Sequence, residues 1–322
     1  MIETNIQKIK TIFAGTSDFA IPIFEKLVGA EKIDLVFLIT ETAKPAGRQR
    51  KIASPAIKKT AVGLKIPILQ PKKISDIASK IAAAKPDLIT VAAFGQIIPA
   101  EILKIPRFGV VNIHPSLLPK FRGASPIQSA ILLGEKITGV SIMLMDEKMD
   151  TGPILAQEKI QINPQDDFLT LSQKLAKTAN KILEKTIIDF VAGRITPQPQ
   201  KNSATSYCSQ ITKKDGLLDF TKAAAQLQRQ IRAFVVWPKS YCFWNNQQVI
   251  ISKAAASDLR PEPPAAAGTV FLDPKNKNLA ILTGKGSLIV NKLQLEGKKE
   301  MTAKDFLNGH PEIIGDTLKD KN

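Results

Sequence analysis

The first 145 residues alternate between short, almost wholly apolar runs and stretches of helical spacing, and this alternation limits the fold more than any other feature. Residues 10–14 (KTIFA), 33–39, 65–69, 87–93 (DLITVAA), 109–113 and 139–145 predict strands. Residues 18–28, 74–84 and 125–133 predict the helices between them. An amphipathic strand would show alternation; near-continuous apolar strands predict a parallel sheet covered by helices on both faces. Ligands of such sheets lie beyond the carboxyl ends of the strands.

The pattern changes near Gly193. Residues 194–209 (RITPQPQKNSATSYCS) are rich in Pro, Gln and Ser, lack a helical period and predict an interdomain linker. Residues 223–234 predict one more helix. Short strand-like runs follow at 248–252, 268–272, 279–282 and 288–293, separated by turns such as Asp273-Pro274 and Gly284-Lys285-Gly286. That spacing predicts a small β-barrel or sandwich. The chain's 322 residues, 44% of them hydrophobic, suffice for two domains with real cores.

Charge and rare residues narrow the function. Lys plus Arg total 45 against 29 for Asp plus Glu, a formal net charge of +16, which makes a polyanion a natural partner. The segment 42–75 holds nine basic residues and no acidic one. Its first part, Lys44-Pro45-Ala46-Gly47-Arg48-Gln49-Arg50-Lys51, reads as a basic loop able to approach a phosphate backbone. The two cysteines, Cys208 and Cys242, exclude a disulfide framework and a cysteine-rich zinc site, and fit a reducing, cytoplasmic setting. Residues 1–10 are polar, so no secretory signal is expected, and no apolar run approaches the length of a membrane span. No GxGxxG, no GxxxxGK[ST], no GxSxG and no metal-ligand spacing around His114 or His310 occurs.

The densest polar cluster is Val111-Asn112-Ile113-His114-Pro115-Ser116-Leu117-Leu118-Pro119. Asn112 and His114 are two apart at the end of an extended run, so both side chains share one face. The amide can donate to a developing oxyanion, and the imidazole can move a proton near neutral pH. A second cluster runs from Asp146 to Pro153 and ends the expected strand 139–145, so it should open on the same sheet edge. A carboxylate there can orient and charge the imidazole, but spacing does not choose among Asp146, Glu147 and Asp150. A Ser116–His114–Asp150 hydrolase is a further arrangement these residues allow.

Asn112-Ile-His114-Pro-Ser-Leu-Leu-Pro119 with Phe121-Arg-Gly-Ala, paired with Asp150-Thr-Gly-Pro153, resembles the active-site signature of the folate-dependent formyltransferases. The likeness extends to residues 12–19 (IFAGTSDF), the basic segment 44–48 with Ser54-Pro55, residues 123–128 and 138–143, and 227–238 and 293–299 in the second half. It implies a Rossmann-like catalytic domain over 1–196, a linker at 197–214 and a small OB-like barrel over 215–322 that binds tRNA. It implies formyl transfer from 10-formyltetrahydrofolate, with no metal, to the α-amino group of methionine on initiator tRNA. The resemblance maps Asn112, His114 and Asp150 onto the catalytic trio. Ser116, Leu117, Leu118 and Pro119 map onto a folate segment, and Phe94, Gly95, Gln96 and Ile97 onto the folate-side loop. Arg48, Arg50 and Lys51 would contact the acceptor end, and Arg229 and Arg232 the tRNA backbone. A monomer without a membrane partner is expected. Lys148 stands where the family usually has Gly, and Phe94 where it usually has Tyr. The rival readings are a formyltransferase whose acceptor is a glycinamide, a nucleotide sugar or water, and a noncatalytic RNA-binding protein; the second half counts against the glycinamide, and the basic loop and net charge of +16 favour tRNA over a nucleotide sugar.

Overall fold

A computed structural model describes residues 8–46 and 51–319. The chain runs β1 (Ile9–Gly15), α1 (Ala20–Val28), β2 (Ile33–Ile39), β3 (Lys44–Ala46), β4 (Lys51–Ala53), α2 (Ala56–Gly63), β5 (Ile68–Leu69), α3 (Ala78–Ala83), β6 (Leu88–Ala92) and α4 (Ala100–Leu103). It continues with β7 (Val110–His114), β8 (Arg122–Gly123), α5 (Pro126–Leu133), β9 (Ile137–Leu144), β10 (Ile154–Gln161), α6 (Phe168–Val191) and β11 (Tyr207–Cys208). Contacts group the chain into two compact units: Met1–Pro126 with Ile137–Gln161 and Ser172–Cys208, and Ile127–Lys136 with Ile162–Leu171 and Ser209–Asn322.

The first unit is built on a sheet ordered β10-β9-β7-β6-β1-β2-β5. The pairs β1–β2, β1–β6, β2–β5 and β6–β7 are parallel; β9 runs antiparallel to β7, and β10 to β9. The mostly parallel sheet expected from the apolar strands is therefore present. Ile12, Phe13 and Ala14 of β1 are fully buried, as is every residue of β6, because both faces of these central strands are covered. Chain order reverses direction about β1, whose neighbours are β2 and β6. The crevice beyond the carboxyl ends of β1 and β6 is therefore the topological switch point where such sheets bind ligands.

Two elements occupy a region for which the apolar pattern predicted nothing. One is β10; the other is α6, a helix of 24 residues. The basic segment also differs from a plain loop: β3 and β4 pair antiparallel, Lys44 with Ala53 and Ala46 with Lys51. Within residues 194–209, expected as an interdomain linker, the chain pairs with the first unit. Gln198 bridges Ile154, and β11 pairs in parallel with β8.

The second unit adds α7 (Ala224–Ala233), β12 (Tyr241–Trp244), β13 (Gln247–Ser257), β14 (Val270–Leu272), β15 (Leu279–Leu282), β16 (Ser287–Leu295), β17 (Met301–Thr302) and α8 (Ala303–Gly309). Its antiparallel sheet is ordered β12-β13-β16-β15-β14, with β17 beside β16. Isolated bridges join Thr317 to Thr269 and Lys319 to Phe243. The last described residues thus lie along both edges and give the sheet the character of a small barrel, which protects edges that would otherwise expose unpaired backbone groups. Leu227 and Ile231 of α7 and Phe306 of α8 belong to its apolar core. Among the described residues no helix is long and apolar enough to cross a membrane.

Candidate active site

The last residue of β7 is His114, and Asn112 lies two residues earlier on the same face. The His114 side chain is 4% exposed. Its Nε2 is 2.9 Å from the Phe121 carbonyl oxygen. A carbonyl can only accept, so Nε2 carries a hydrogen, and in the neutral ring Nδ1 holds the lone pair. Nδ1 faces Asp150 Oδ1 at 3.7 Å, beyond hydrogen-bond length but within ion-pair distance for a protonated ring. Asn112 Nδ2 donates to the same Oδ1 at 3.4 Å. The Gly123 amide donates to Asp150 Oδ2 at 2.8 Å. Among the three acidic residues left open by spacing, the structure brings Asp150 to the imidazole. Asp146 instead accepts from the Thr151 hydroxyl at 2.7 Å and from the Lys148 amide at 3.1 Å, holding the turn.

Asp150 does not arrive by the route its sequence position suggests. Because β9 is antiparallel to β7, Leu144 pairs with Val111 and the Met145 amide donates to the Val110 carbonyl. The turn after β9 therefore begins at the amino end of β7, at the opposite edge from His114. The expectation of a shared edge is wrong for that reason. The 146–153 turn instead reaches Asn112 and His114 over the face their side chains share. Asp150 itself has φ 53°, in the left-handed region that Asp tolerates better than most residues. Gly152 fits because a Cβ there would lie 1.8 Å from the Leu144 carbonyl oxygen.

Several supporting residues were given no role in the sequence reading. Gly123 has φ +118°, and a Cβ there would sit 2.2 Å from the Cys208 carbonyl oxygen. Only glycine lets β8 approach β11 and still present its amide to Asp150. Gln200, from the segment read as linker, donates to the carbonyls of Asp150 at 2.9 Å and Gly152 at 2.7 Å. Its own Oε1 accepts from Nε and Nη2 of the buried Arg122 at 3.1 and 2.8 Å. Ser206 Oγ accepts from the Phe121 amide at 2.9 Å, which fixes the carbonyl that reads His114.

The serine-hydrolase arrangement is not formed. Ser116 is fully buried and its hydroxyl donates to the Lys120 carbonyl at 2.6 Å. The loop it belongs to is braced by Ser141, which accepts from the Leu118 amide at 2.9 Å and donates to the Ser116 carbonyl at 2.6 Å. Leu118 is buried, while Leu117 and Pro119 are partly exposed. On the other predicted loop, Phe94 is buried, Gly95 has φ +86° and Ile97 is 86% exposed. Thr16 Oγ1 donates to the Phe94 carbonyl at 2.9 Å, and Gln96 Oε1 accepts from the Ile74 amide at 2.8 Å. An exposed isoleucine on a braced loop at the switch-point crevice offers an apolar wall to a flat heterocycle. Among the described residues no group of His, Cys, Asp and Glu is placed to hold a metal.

The basic residues divide. Arg48 and Arg50 lie outside the described residues, and Lys51 opens β4. Arg229 and Arg232 are half-buried in the second unit. Arg229 Nε donates to the Leu132 carbonyl at 3.0 Å; Arg232 Nη1 donates to the Asp166 carbonyl at 2.5 Å and its Nε to Gln228 at 3.0 Å. Burial, with the neighbouring Arg229 charge, lowers the Arg232 guanidinium from its ordinary value. Both arginines hold the fold of that unit together.

Known proteins resemble this chain over nearly its whole length. The formyl transferase family model matches residues 7–187, and the formyl transferase C-terminal domain model matches residues 210–311. The methionyl-tRNA formyltransferase of Thermodesulfovibrio yellowstonii is 42% identical over 302 residues, covering 92% of this chain and 95% of that protein. The chain belongs to the formyltransferase family, among its methionyl-tRNA formyltransferases. The Bacillus subtilis relative of the same name is 36% identical over 96% of this chain and 97% of its own length. Solved structures extend the fold likeness. WlaRD, a sugar 3N-formyl transferase crystallised with dTDP and 5-N-formyl-THF, superposes with a TM-score of 0.62 at 23% identity, over 91% of this chain and all of that one. HypX from Aquifex aeolicus in complex with tetrahydrofolic acid gives 0.64 at 15% identity over 95% of this chain. The chain spans about half the length of HypX, at 48%.

Proposed function

We propose that this enzyme transfers the formyl group of 10-formyltetrahydrofolate to the α-amino group of methionyl initiator tRNA, yielding formylmethionyl-tRNA for translation initiation. The observation that carries the chemistry is the grouping of Asn112, His114 and Asp150, with Nε2 of His114 engaged by a backbone carbonyl and Nδ1 turned toward the carboxylate. The relatives' shared name supports the choice of acceptor.

In the reaction the amine nitrogen attacks the formyl carbon and the carbonyl oxygen takes up negative charge. An Asn112 amide hydrogen and the protonated Nδ1 of His114 stabilise that oxyanion. The bond from the formyl carbon to the folate N10 then breaks. Nδ1 of His114 gives its proton to the departing nitrogen, and the proton released by the attacking amine restores the imidazolium. Asp150 opposes the imidazolium charge and holds the ring's orientation. Phe94, Gly95, Gln96 and Ile97, facing the switch-point crevice, and Ser116, Leu117, Leu118 and Pro119 line the folate. In this reading the buried members, Phe94, Ser116 and Leu118, shape the walls from behind, and Gly95, Ile97, Leu117 and Pro119 meet the ligand.

The basic segment, with Arg48, Arg50 and Lys51, contacts the acceptor end of the tRNA. Residues 1–196 carry the chemistry, and 215–322 hold the tRNA body after the 197–214 connection. Arg229 and Arg232 serve that surface by fixing its helix. The enzyme acts as a cytoplasmic monomer. The test is formylation by purified protein of methionyl initiator tRNA against methionyl elongator tRNA, with His114→Ala alongside. Transfer to the initiator alone, abolished in the variant with tRNA binding retained, is expected. Folate cleavage without transfer to either tRNA would overturn the acceptor, and full function in His114→Ala would overturn the catalytic reading.

A further inference from the structure

Helix α6 presents a row of lysines on the first unit. From Lys177 to Val191 the only exposed residues of the helix are Lys177, Lys181 and Lys185, at every fourth position. A rise of about 1.5 Å per residue sets successive lysines about 6 Å apart on one face. Like charges at that spacing repel, so the row weakens the helix unless a polyanion answers it. Helix α1 lies beside the row: Asn180 Nδ2 donates to the Pro22 carbonyl at 3.0 Å, and Lys26 pairs with Glu184 at 2.5 Å. A cavity of about 410 Å³ opens there, with Lys26, Lys32, Lys181, Lys185 and Arg194 set against two carboxylates, Glu184 and Asp189. Lys26 takes up the first carboxylate, and Lys185 and Arg194 share the second. Lys32, Lys177 and Lys181 form no ion pair among the described residues. Helix α1 returns from the carboxyl end of β1 to the amino end of β2, which Lys32 immediately precedes. The cavity therefore opens toward the amino edge of the parallel strands, away from the crevice that holds the trio.

We propose that the Lys177–Lys181–Lys185 row and the cavity beside it form a second RNA-docking face, which holds the phosphodiester backbone of an RNA other than the one whose end enters the crevice. The row is linear and evenly spaced, as successive phosphates of a strand require, and lysine supplies a point charge to each. A compact anion could sit in the cavity, but it would leave Lys177, which is not among the cavity walls, unanswered. No exposed apolar or aromatic residue interrupts the row, and a membrane-surface helix would need such residues to bury. The contacts carry charge and no base-edge groups, so this face reads the backbone and not the sequence. The enzyme can then hold its substrate at one edge of the sheet while seated on another RNA by the other.

The experiment measures binding of a fluorescein-labelled, blunt-ended RNA duplex to the full chain by anisotropy, across a salt series, with and without saturating methionyl initiator tRNA. The ridge variant is Lys177→Gln, Lys181→Gln and Lys185→Gln together; Lys80→Gln, Lys85→Gln and Lys104→Gln together remove the same charge elsewhere on the first unit. Wild type binds the duplex in the presence of the tRNA. The ridge variant lowers the salt slope by about 2–3, at about 0.7–0.9 per lysine, and the control variant by less than about one. The kcat/KM for formylation stays within about twofold of wild type in both, which also shows that both are folded. Arginine at all three ridge positions restores duplex binding. Equal losses in ridge and control variants overturn the proposal in favour of diffuse charge. Loss of wild-type duplex binding on adding the tRNA, or a raised KM for the tRNA in the ridge variant, assigns the row to the substrate and overturns a second face. Displacement of the duplex by an equal concentration of tripolyphosphate, or ridge-dependent binding to phosphatidylglycerol vesicles without duplex binding, overturns the RNA assignment.

Discussion

Asp150→Asn changes one charge and little else, so it isolates what the carboxylate does. The backbone at φ 53° is one that Asn adopts as readily as Asp, and no new strain enters. The oxygen accepting the Gly123 amide at 2.8 Å must remain an oxygen, because an amide hydrogen there would face another. The new NH2 group therefore replaces Oδ1, which faces Asn112 Nδ2 at 3.4 Å and His114 Nδ1 at 3.7 Å. With its hydrogen on Nε2, a neutral imidazole offers Nδ1 as an acceptor to that NH2. A protonated Nδ1 would meet a donor. The variant thus sets a donor against a protonated Nδ1 and disfavours the acid that the leaving nitrogen needs. The expected loss in kcat is about 10²- to 10⁴-fold, or about 2.7–5.4 kcal/mol of barrier. Single-turnover formation of formylmethionine reads kcat, and filter binding reads tRNA affinity, which should stay within about threefold because the carboxylate is not a phosphate contact. A single-turnover rate within about threefold of wild type would refute the argument that Asp150 acts through the His114 charge.

Three further outcomes follow from particular contacts. Gly123→Ala places a Cβ 2.2 Å from the Cys208 carbonyl at φ +118° and pulls the amide from Asp150. Urea unfolding should show a loss of about 2–4 kcal/mol together with reduced turnover. Burial pushes the Cys242 thiol up to about 12 from its usual 9.0. Between those values the unfolded chain releases a proton that the folded chain keeps, so stability falls as pH rises, by about 1.4 kcal/mol per pH unit from this group. Cys242→Ala should flatten that part of the urea-midpoint profile, and an unflattened profile counts against a buried thiol. Arg48→Ala should reduce the salt slope of tRNA binding by about one, with folate KM unchanged.

Parts of this molecule are legible in its residues and parts are not. Strands β1, β2, β6 and β7 stand out because both faces of a central parallel strand demand apolar side chains. The period-two placement of Asn112 and His114 is local geometry, and it holds. Helix α6 had a readable signal: Leu171, Leu175, Ala179, Leu183 and Ile187 recur every four residues and are fully buried. Strand β10 did not, since as an edge strand its second half is exposed and polar. The choice of Asp150 over Asp146 depends on a left-handed turn and on β9 running antiparallel, and neither is encoded in spacing. The roles of Gln200 and Ser206 depend on a long-range return of the chain to β8, so a Pro-, Gln- and Ser-rich composition reads as linker although the fold uses it as a brace.

The central mechanistic claim is that Nδ1 of His114 is the nitrogen presented to the reaction, because Nε2 is committed to the Phe121 carbonyl. The chain contains two histidines, so nitrogen-15 histidine labelling yields two rings, and His310→Gln identifies which signals belong to His114. In the neutral ring, hydrogen on Nε2 and a bare Nδ1 are expected. A neutral ring carrying its hydrogen on Nδ1 would contradict that claim.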